Sequence, residues 1–466
     1  MKHKNTIQHH SSMSMWKIIL LVIAVLYIMS FIIPSGAFER DGRMVIPGTY
    51  HMIEKIYLDP IQVILAIGDT TYQLFGKLYV NLLVMGGMMH IVNSTGVIDQ
   101  ALGNIIYKMK NKAVIIIPIY IFATGLLGCV GSLISTAVLF VPLGLSIAKQ
   151  FKADRSFGVG LAVLGAYTGF MSSPINPLTG VLGQEIAGVV PYSGAGMRTI
   201  VTVLNLTIVS AYLIWWVKYC QKNPALYESD FGAEHSLSSS ADIDLPGFDG
   251  YRPLSGREIA MLILFFGTFI FIAAGGPTLR LDMSQLTSVM VPVAFVEGFL
   301  AHYDIDEIMK NFVKGSQTMC SVMVFMILAS VMSVILNDSG ILDTIVYYIS
   351  IPLNYLSNSF AAIGMFIANC IINCFINSGS GQTTVMMPII APLADVVGVT
   401  RQMSVLTVQF GDGFTNLLSP TSSNLMICLA AGGVTLKRWF KFLLPCYGML
   451  LIVMLSSIFI GTAIGF

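Results

Sequence analysis

Asp412 stands between two glycines, Gly411 and Gly413, inside an apolar stretch that runs over 404–430 and is long enough to cross a bilayer. A charge at the centre of such a stretch costs about 2.5–3.5 kcal/mol on insertion scales, so it persists where it does chemistry. That chemistry is to coordinate a cation, carry a proton or hold a basic substrate group; the bland alternative is a structural carboxylate with a fixed partner. The same stretch is broken at Ser419-Pro-Thr-Ser-Ser-Asn424. A second stretch, 158–190, is broken at Ser172-Ser-Pro-Ile-Asn-Pro177, whose two prolines each remove a backbone donor and cannot sit in an unbroken helix. Two pairs of apolar runs also meet at glycine-rich tips. Gly128-Cys-Val-Gly-Ser132 joins 115–127 to 133–147, and Asn377-Ser-Gly-Ser-Gly381 lies within 361–394. Each pair reads as a re-entrant hairpin. Non-helical backbone is tolerated at membrane depth only inside protein or beside water. Amides at the broken ends suit an anion; carbonyls and hydroxyls suit Na⁺.

The candidate substrate and ion ligands follow from these four interruptions. In the first half of the chain they are Ser132, Ser135, Thr136, Ser172, Ser173, Asn176 and Thr179. In the second half they are Ser378, Ser380, Gln382, Thr383, Asp412, Asn416, Ser419, Thr421, Ser422, Ser423 and Asn424. A single Ser or Thr in a membrane helix is more often a packing residue. The convergence of two tips and two breaks is what points to a site. Glu185, just past the first break, and His90, a proton carrier or else a hydrogen-bonded packing residue, are further candidates. Glu297 and His302 are expected at the membrane interface. No Lys or Arg falls in this set, so an anionic substrate would depend on helix ends and hydroxyls.

Several function classes drop out. No Gly-x-x-x-x-Gly-Lys-Ser/Thr loop is present, so the chain itself does not use ATP. Ser380 lies in Ser378-Gly-Ser-Gly381, but no His sits on a plausible partner helix, and a nucleophilic serine needs a base. Cys370 and Cys374 are one helical turn apart, without the His or Cys pair that completes a metal site. The seven cysteines read as free thiols. No metal or cofactor is expected beyond Na⁺ or H⁺ as coupling ion.

The elements that must position these groups are membrane helices. Of 466 residues, 55% are hydrophobic and 11% charged, and mean hydropathy is +0.78; soluble domains carry about a quarter charged residues. The first span, 18–34, follows Lys2, Lys4 and Lys17 and is read as retained rather than as a signal peptide. A polar outer stretch, 36–59, leads to an interfacial helix at 60–74 and a span at 78–92. A surface helix at 97–112 precedes the first hairpin, and 199–217 crosses after the first break. The polar segment 219–258 reads as a mobile cytoplasmic loop. Linking spans at 259–274 and 286–300 follow. Then come a surface helix (304–314), a span (320–336), a surface helix (341–350), the second hairpin, the second break and a last span at 442–464.

The order of elements repeats. Asn93-Ser-Thr-Gly-Val-Ile-Asp99 returns as Asn337-Asp-Ser-Gly-Ile-Leu-Asp343, 244 residues on (337 − 93). Pro142 and Pro388 stand 246 apart (388 − 142), as do Pro174 and Pro420 (420 − 174). The surface helix after the first phrase carries Lys108, Lys110 and Lys112, whereas its counterpart, 344–360, carries no Lys or Arg. Lys and Arg favour the cytoplasmic side, so the two copies face opposite sides. Lys437, Arg438 and Lys441 then fall inside with the N-terminus. The expected fold is an all-α polytopic membrane protein: an inverted-topology repeat with two re-entrant hairpins and two broken transmembrane helices, about nine full spans besides the hairpins. Its divisions are 1–59 (first span and outer loop), 60–218 (repeat 1), 219–302 (cytoplasmic loop and linking spans) and 303–466 (repeat 2).

At Ile46-Pro-Gly-Thr-Tyr50, Ser173-Pro-Ile-Asn-Pro177, Gln184-Glu-Ile-Ala-Gly188 and 412–424 the chain resembles the anaerobic C4-dicarboxylate carrier family, and within it the YfcC-like branch. The resemblance covers nearly the whole chain and extends to the wider ion-transporter superfamily. It implies a scaffold domain, a mobile transport domain with paired hairpins, a homodimer and elevator motion, with Na⁺ and substrate bound at tips and breaks. The expected protein is therefore a secondary transporter of the cytoplasmic membrane, not an enzyme. It moves a C4-dicarboxylate-like organic acid or an amino acid by alternating access, ion-coupled or by exchange. A basic amino-acid exchanger of the arginine/ornithine type and a channel are the alternatives. Partners are a small-molecule substrate, the lipid bilayer and a second copy, with no nucleic acid.

Overall fold

In lipid every backbone donor must find its acceptor within the protein, which drives apolar sequence of this density into helix. The computed structural model describes residues 15–41, 44–98, 100, 101, 104, 113–131, 134, 137–231, 250–279 and 283–466. Helix α1 spans Met15–Ile32. Four two-residue strands follow and form two antiparallel ribbons: β1 (Gly36–Ala37) with β4 (His51–Met52), and β2 (Arg40–Asp41) with β3 (Met44–Val45). Asp59 then caps α2 (Pro60–Ser94), accepting from the Ile61 amide, with Pro60 pre-set for the first turn.

Helix α2 corrects the expected division into an interfacial helix at 60–74 and a separate span at 78–92: it is one helix of 35 residues. No proline lies inside it past Pro60, and a glycine such as Gly76 costs a helix only about 1 kcal/mol, too little to end it. In the second repeat the corresponding stretch does divide, at Met319, into α11 (Ile305–Thr318) and α12 (Cys320–Asp338).

The remaining order is α3 (Ala113–Cys129), a 3₁₀ turn (Ala137–Phe140), α4 (Val141–Gln150), α5 (Arg155–Ser172), a π turn (Pro177–Val181), α6 (Leu182–Ala187), α7 (Ala195–Lys222) and α8 (Pro224–Phe231). After α9 (Gly256–Leu279) and α10 (Met283–Leu300) come α11, α12, α13 (Ile341–Leu353), α14 (Asn358–Asn373), α15 (Gly379–Val396), α16 (Arg401–Asn416), α17 (Ser423–Gly432) and α18 (Leu436–Ile464). Helix α3 packs along α5 as α14 packs along α16, and α5 and α16 pack on each other. A second group gathers α10, α11 and α12 around α2.

The repeated phrase has a structural cause. Gly96 and Gly340 both follow a helix end and adopt left-handed φ values of 66° and 68°. Before them, Thr95 and Ser339 turn their hydroxyls onto carbonyls of the last turn, Val92 and Ile335. This is one helix-ending device used twice. After Gly340 the chain bends by 82° between 330–338 and α13. The outer ribbons dock on this bend. Gly36 N donates to Gly340 O (3.0 Å), Arg40 pairs with Asp343 (2.5 Å), and Tyr50 stacks on Tyr347 at 4.1 Å. Helices α3 and α5 approach closely through glycine: a Cβ at Gly169 would strike Gly125 O, and one at Gly165 would strike Thr124. The Gly165/Gly169 pair thus serves packing.

Among the described residues, Arg155–Ala187, Ala195–Lys222 and Leu436–Ile464 are long and apolar enough to cross a membrane, and the bent pair at Gly340 makes a fourth. Other long apolar helices are α1 (18 residues), α2 (35), α9 (24) and α10 (18).

The expected mobile loop 219–258 is also corrected at its start. Residues 219–222 extend α7, and α8 folds back so that Phe231 is buried. Asp230 accepts from the Arg155 amide (2.9 Å) and pairs with Arg438, which also holds Asp154 (3.1 Å). Arg155 and Lys149 sit over the Phe231 ring. Composition marked this segment as solvated because its partners lie far away in sequence. Asp230→Asn removes the charged acceptor, a loss of about 1.5–3 kcal/mol. It should lower the unfolding midpoint of the detergent-solubilised protein, whereas Glu228→Gln, on the exposed side of α8, should not.

Candidate functional site

Asn369, Asn373 and Asn377 recur every fourth residue and so share one face of α14 and its end. Asp412 and Asn416 share a face of α16 in the same way. These faces meet Gln382 of α15 in a buried network. Asn373 Nδ2 donates to Asp412 Oδ1 and to Gln382 Oε1, both at 2.8 Å. Asn416 Nδ2 donates to the same Asp412 oxygen at 2.9 Å, and Asn377 donates to Asn416 Oδ1 at 2.5 Å. Gln382 closes the circuit on Asn369, through its carbonyl (2.8 Å) and its side chain (3.2 Å).

The network holds one oxygen of Asp412 and leaves the other free. Asp412 is 0% exposed, and its Oδ2 has no partner. That oxygen faces the first turn of α15, where a Cβ on Gly379 would lie 2.8 Å from it and 2.8 Å from Thr179 Cγ2. Ser378 caps α15, accepting from Gly381 N at 3.2 Å. A helix N-terminus carries partial positive charge, so the carboxylate is favourably placed there. Thr179 Oγ1 and Thr383 Oγ1 are likewise buried without partners. Ser380 is buried behind the cap. This arrangement can take up a proton, a cation or an ammonium group on a fixed carboxylate, with hydroxyls beside it.

The other expected ligands of the first break are occupied. Ser173 Oγ donates to Cys129 O (2.7 Å), and Asn176 donates to Phe170 O (3.2 Å) while accepting from Leu178 N (2.9 Å). Ser172 accepts from Thr202 (3.1 Å). Asn176 gives Phe170 O the donor that Pro174 lacks. Thr179, in the π turn, is the exception. At the second break Ser419 and Thr421 bond to each other (2.7 Å), Thr421 and Ser423 are exposed, and Ser422 and Asn424 lie beside Tyr167. Trp439 donates to Leu417 O at 2.9 Å and so satisfies the end of α16.

Ser132, Ser135 and Thr136 lie outside the described residues. Glu185 is half-buried on α6. His90 packs on Gly315 in the α2–α11 contact, away from Asp412. His302 contacts Arg257 at an exposed position. Glu297 is buried, with neither carboxylate oxygen partnered.

Three groups escaped the sequence reading. The Asn369/Asn373/Asn377 ladder was visible as a four-residue spacing in apolar sequence. Gln409, on α16, donates to Ser173 O at 2.8 Å and ties the two broken spans together. Arg198, outside the expected ligand set, is 1% exposed, and its Nε donates to Gln409 Oε1 at 3.2 Å. It sits at the head of an apolar helix, where sequence alone reads a flank. Beside the first break, between α3, α7 and α9, lies an apolar cavity of about 520 Å³ lined by Leu126, Pro174, Ile175 and Phe269. The residues of the polar cluster do not line it, and of these Asn377 and Ser378 are half-buried.

The profile of a family described as C4-dicarboxylate anaerobic carriers matches residues 13–463. A protein of Escherichia coli K12, provisionally named a basic amino acid antiporter, YfcC, is 28% identical over 391 residues, 82% of this chain and 76% of its own. An uncharacterised protein of Haemophilus influenzae is 27% identical over 409 residues, 88% of this chain and 79% of its own. Two solved structures share the fold. The YdaH transporter of Alcanivorax borkumensis gives a TM-score of 0.73 at 15% identity, over 97% of this chain and 98% of its own. MtrF of Neisseria gonorrhoeae gives 0.69 at 17% identity, over 95% and 94%.

Gly379 tests the cluster. A Cβ there must part Asp412 from Thr179, at about 1–3 kcal/mol of strain. Gly379→Ala should cut substrate uptake by about tenfold or more. Gly364→Ala, whose Cβ would meet only Leu353 at 3.5 Å, should leave uptake unchanged.

Proposed function

The chain belongs to the C4-dicarboxylate anaerobic carrier family, and from that premise we propose that it is a secondary transporter whose substrate site is the Asp412 cluster. Its cargo is a small organic acid or an amino acid, moved by alternating access. The observation that carries this reading is a buried carboxylate fixed by Asn373 and Asn416, with one free oxygen at the head of α15. Elements of both repeats border it: α14, α15 and α16 from the second, and Thr179 of the broken span from the first.

Burial of Asp412, Asn373 and Gln382 supports a carrier over a channel, since a conducting pore keeps its polar groups in water. The separate gathering of α2 with α10, α11 and α12 supports an elevator, in which the hairpin-bearing group slides against that frame. Coupling is to a cation gradient or to counter-substrate, and Asp412 is the group that takes the cation. The second reading, exchange of basic amino acids, is favoured by the same free oxygen, which suits an ammonium or guanidinium as well as Na⁺ or H⁺.

Purified protein in liposomes, assayed with radiolabelled succinate and arginine, with and without a Na⁺ gradient and at two pH values, tests the proposal. Saturable uptake of at least one probe is expected, and Asp412→Asn should lower it by at least about tenfold, a change of about 1.4 kcal/mol. Wild-type uptake untouched by that substitution, or single-channel currents far above carrier turnover, would overturn it.

A further inference from the structure

A charge at membrane depth is paired, or it waits for a ligand. Arg198 lies in the first turn of α7, fully buried, and no carboxylate pairs with it among the described residues. Its guanidinium is held on three sides. Nε donates to Gln409 Oε1 (3.2 Å), Nη1 donates to Ser193 O (3.0 Å), and the Phe466 ring lies 5.5 Å away. Nη2 has no partner at all. Such an orphaned donor on a buried cation is costly, and a neutral carbonyl offsets less of that cost than an anion does.

The position of this donor connects it to the Asp412 cluster. Gln409 precedes Asp412 by three residues on α16, so both look to one side of that helix. Gln409 also abuts Gly180, whose Cβ would lie 3.4 Å from Oε1. The next residue back, Thr179, faces the free oxygen of Asp412 across Gly379. The π turn Pro177–Val181 therefore has a guanidinium short of one acceptor on one flank and a carboxylate short of one donor on the other. They do not neutralise each other. One turn after Arg198, Thr202 donates to Ser172 O at 2.7 Å, which fastens this face of α7 to the break.

We propose that Arg198 is the residue that recognises a carboxylate of the transported molecule, its free Nη2 donating to a carboxylate oxygen in the loaded state. The proposal rests on the reading of the Asp412 cluster as the transport site and adds its anion-selecting half. Recognition then depends on a fixed guanidinium rather than on helix ends and hydroxyls. A neutral amide in place of the carboxylate brings no charge and can turn a donor towards a donor, so it is rejected.

The test uses the full-length protein in detergent and four probes in matched pairs: succinate with succinamide, and arginine with argininamide. Thermal unfolding reads binding. At least one acid should raise the midpoint and its amide should not. Arg198→Gln should lose that response; Arg198→Lys, which keeps the charge but not the fork, should bind the same acid about tenfold more weakly. Gln409→Glu hands Arg198 an internal anion and should abolish the response. Because it also loses the donor to Ser173 O, its unliganded midpoint is read beside it, and Arg198→Lys, which keeps the charge, keeps the test decisive if either of the other variants does not fold. Equal shifts from acid and amide, no shift from either acid, or an undiminished response in Arg198→Gln or Gln409→Glu would overturn the proposal. A response lost in Asp412→Asn but kept in the Arg198 and Gln409 variants removes Arg198 and leaves the site standing. A response kept in all of them removes the site itself.

Discussion

A chain that leaves the helix inside hydrocarbon must find each displaced hydrogen-bond partner within the protein, and the rest of this structure depends on how that is done. At the first break Pro174 and Pro177 interrupt the ladder, and side chains replace it. Ser173 reaches Cys129 O, Asn176 reaches Phe170 O, Thr202 reaches Ser172 O and Gln409 reaches Ser173 O. At the second, Trp439 takes Leu417 O. These bonds join α3, α5, α7, α16 and α18 across the repeats. The breaks are therefore not loose joints. Each is fixed by groups from at least one other helix, so the geometry around it is reproducible to the precision that a binding site needs.

Several buried polar atoms are left without a partner, among them both side-chain atoms of Asn205 and the hydroxyls of Tyr120 and Thr168, and four stand near the breaks. Asp412 Oδ2, Thr179 Oγ1, Thr383 Oγ1 and one nitrogen of Arg198 are buried and unpartnered around the same two broken elements. A buried polar atom without a partner carries a penalty of about 1–3 kcal/mol, more when charged. Those four are the atoms on which the proposed site draws. Glu297 is a further buried carboxylate without a partner, on α10 in the other group of helices, and the structure offers no chemistry around it.

Packing holds the cluster at this setting. Glycines let α3 lie against α5 with main chain nearly touching main chain, at Gly125, Gly128, Gly165 and Gly169. On one face the ribbons of the outer segment are fastened to the bend at Gly340, and Val45 N also donates to Asp395 at the far end of α15 (2.9 Å). On another, Asp230 binds the start of α5 to the start of α18. Both ties link segments hundreds of residues apart, and neither rests on a local motif.

Pattern and local stereochemistry were legible in the sequence. Proline, glycine and hydropathy act within a few residues, so they marked both breaks, the interruption between α14 and α15, the repeated helix end at Gly96 and Gly340, and Asp412 as an expensive charge. Resemblance pointed to the family. What the sequence left open is which polar groups are consumed and which are free. Ser173 and Asn176 read like ligands but are used to satisfy backbone; Arg198 read like a flank but is buried; α8 read like solvated loop but is clasped. The last two outcomes are decided by partners about two hundred residues away, Gln409 for Arg198 and Arg438 for Asp230. Composition and spacing carry no record of such partners, because burial and hydrogen bonding are properties of the assembled helices and not of any one segment.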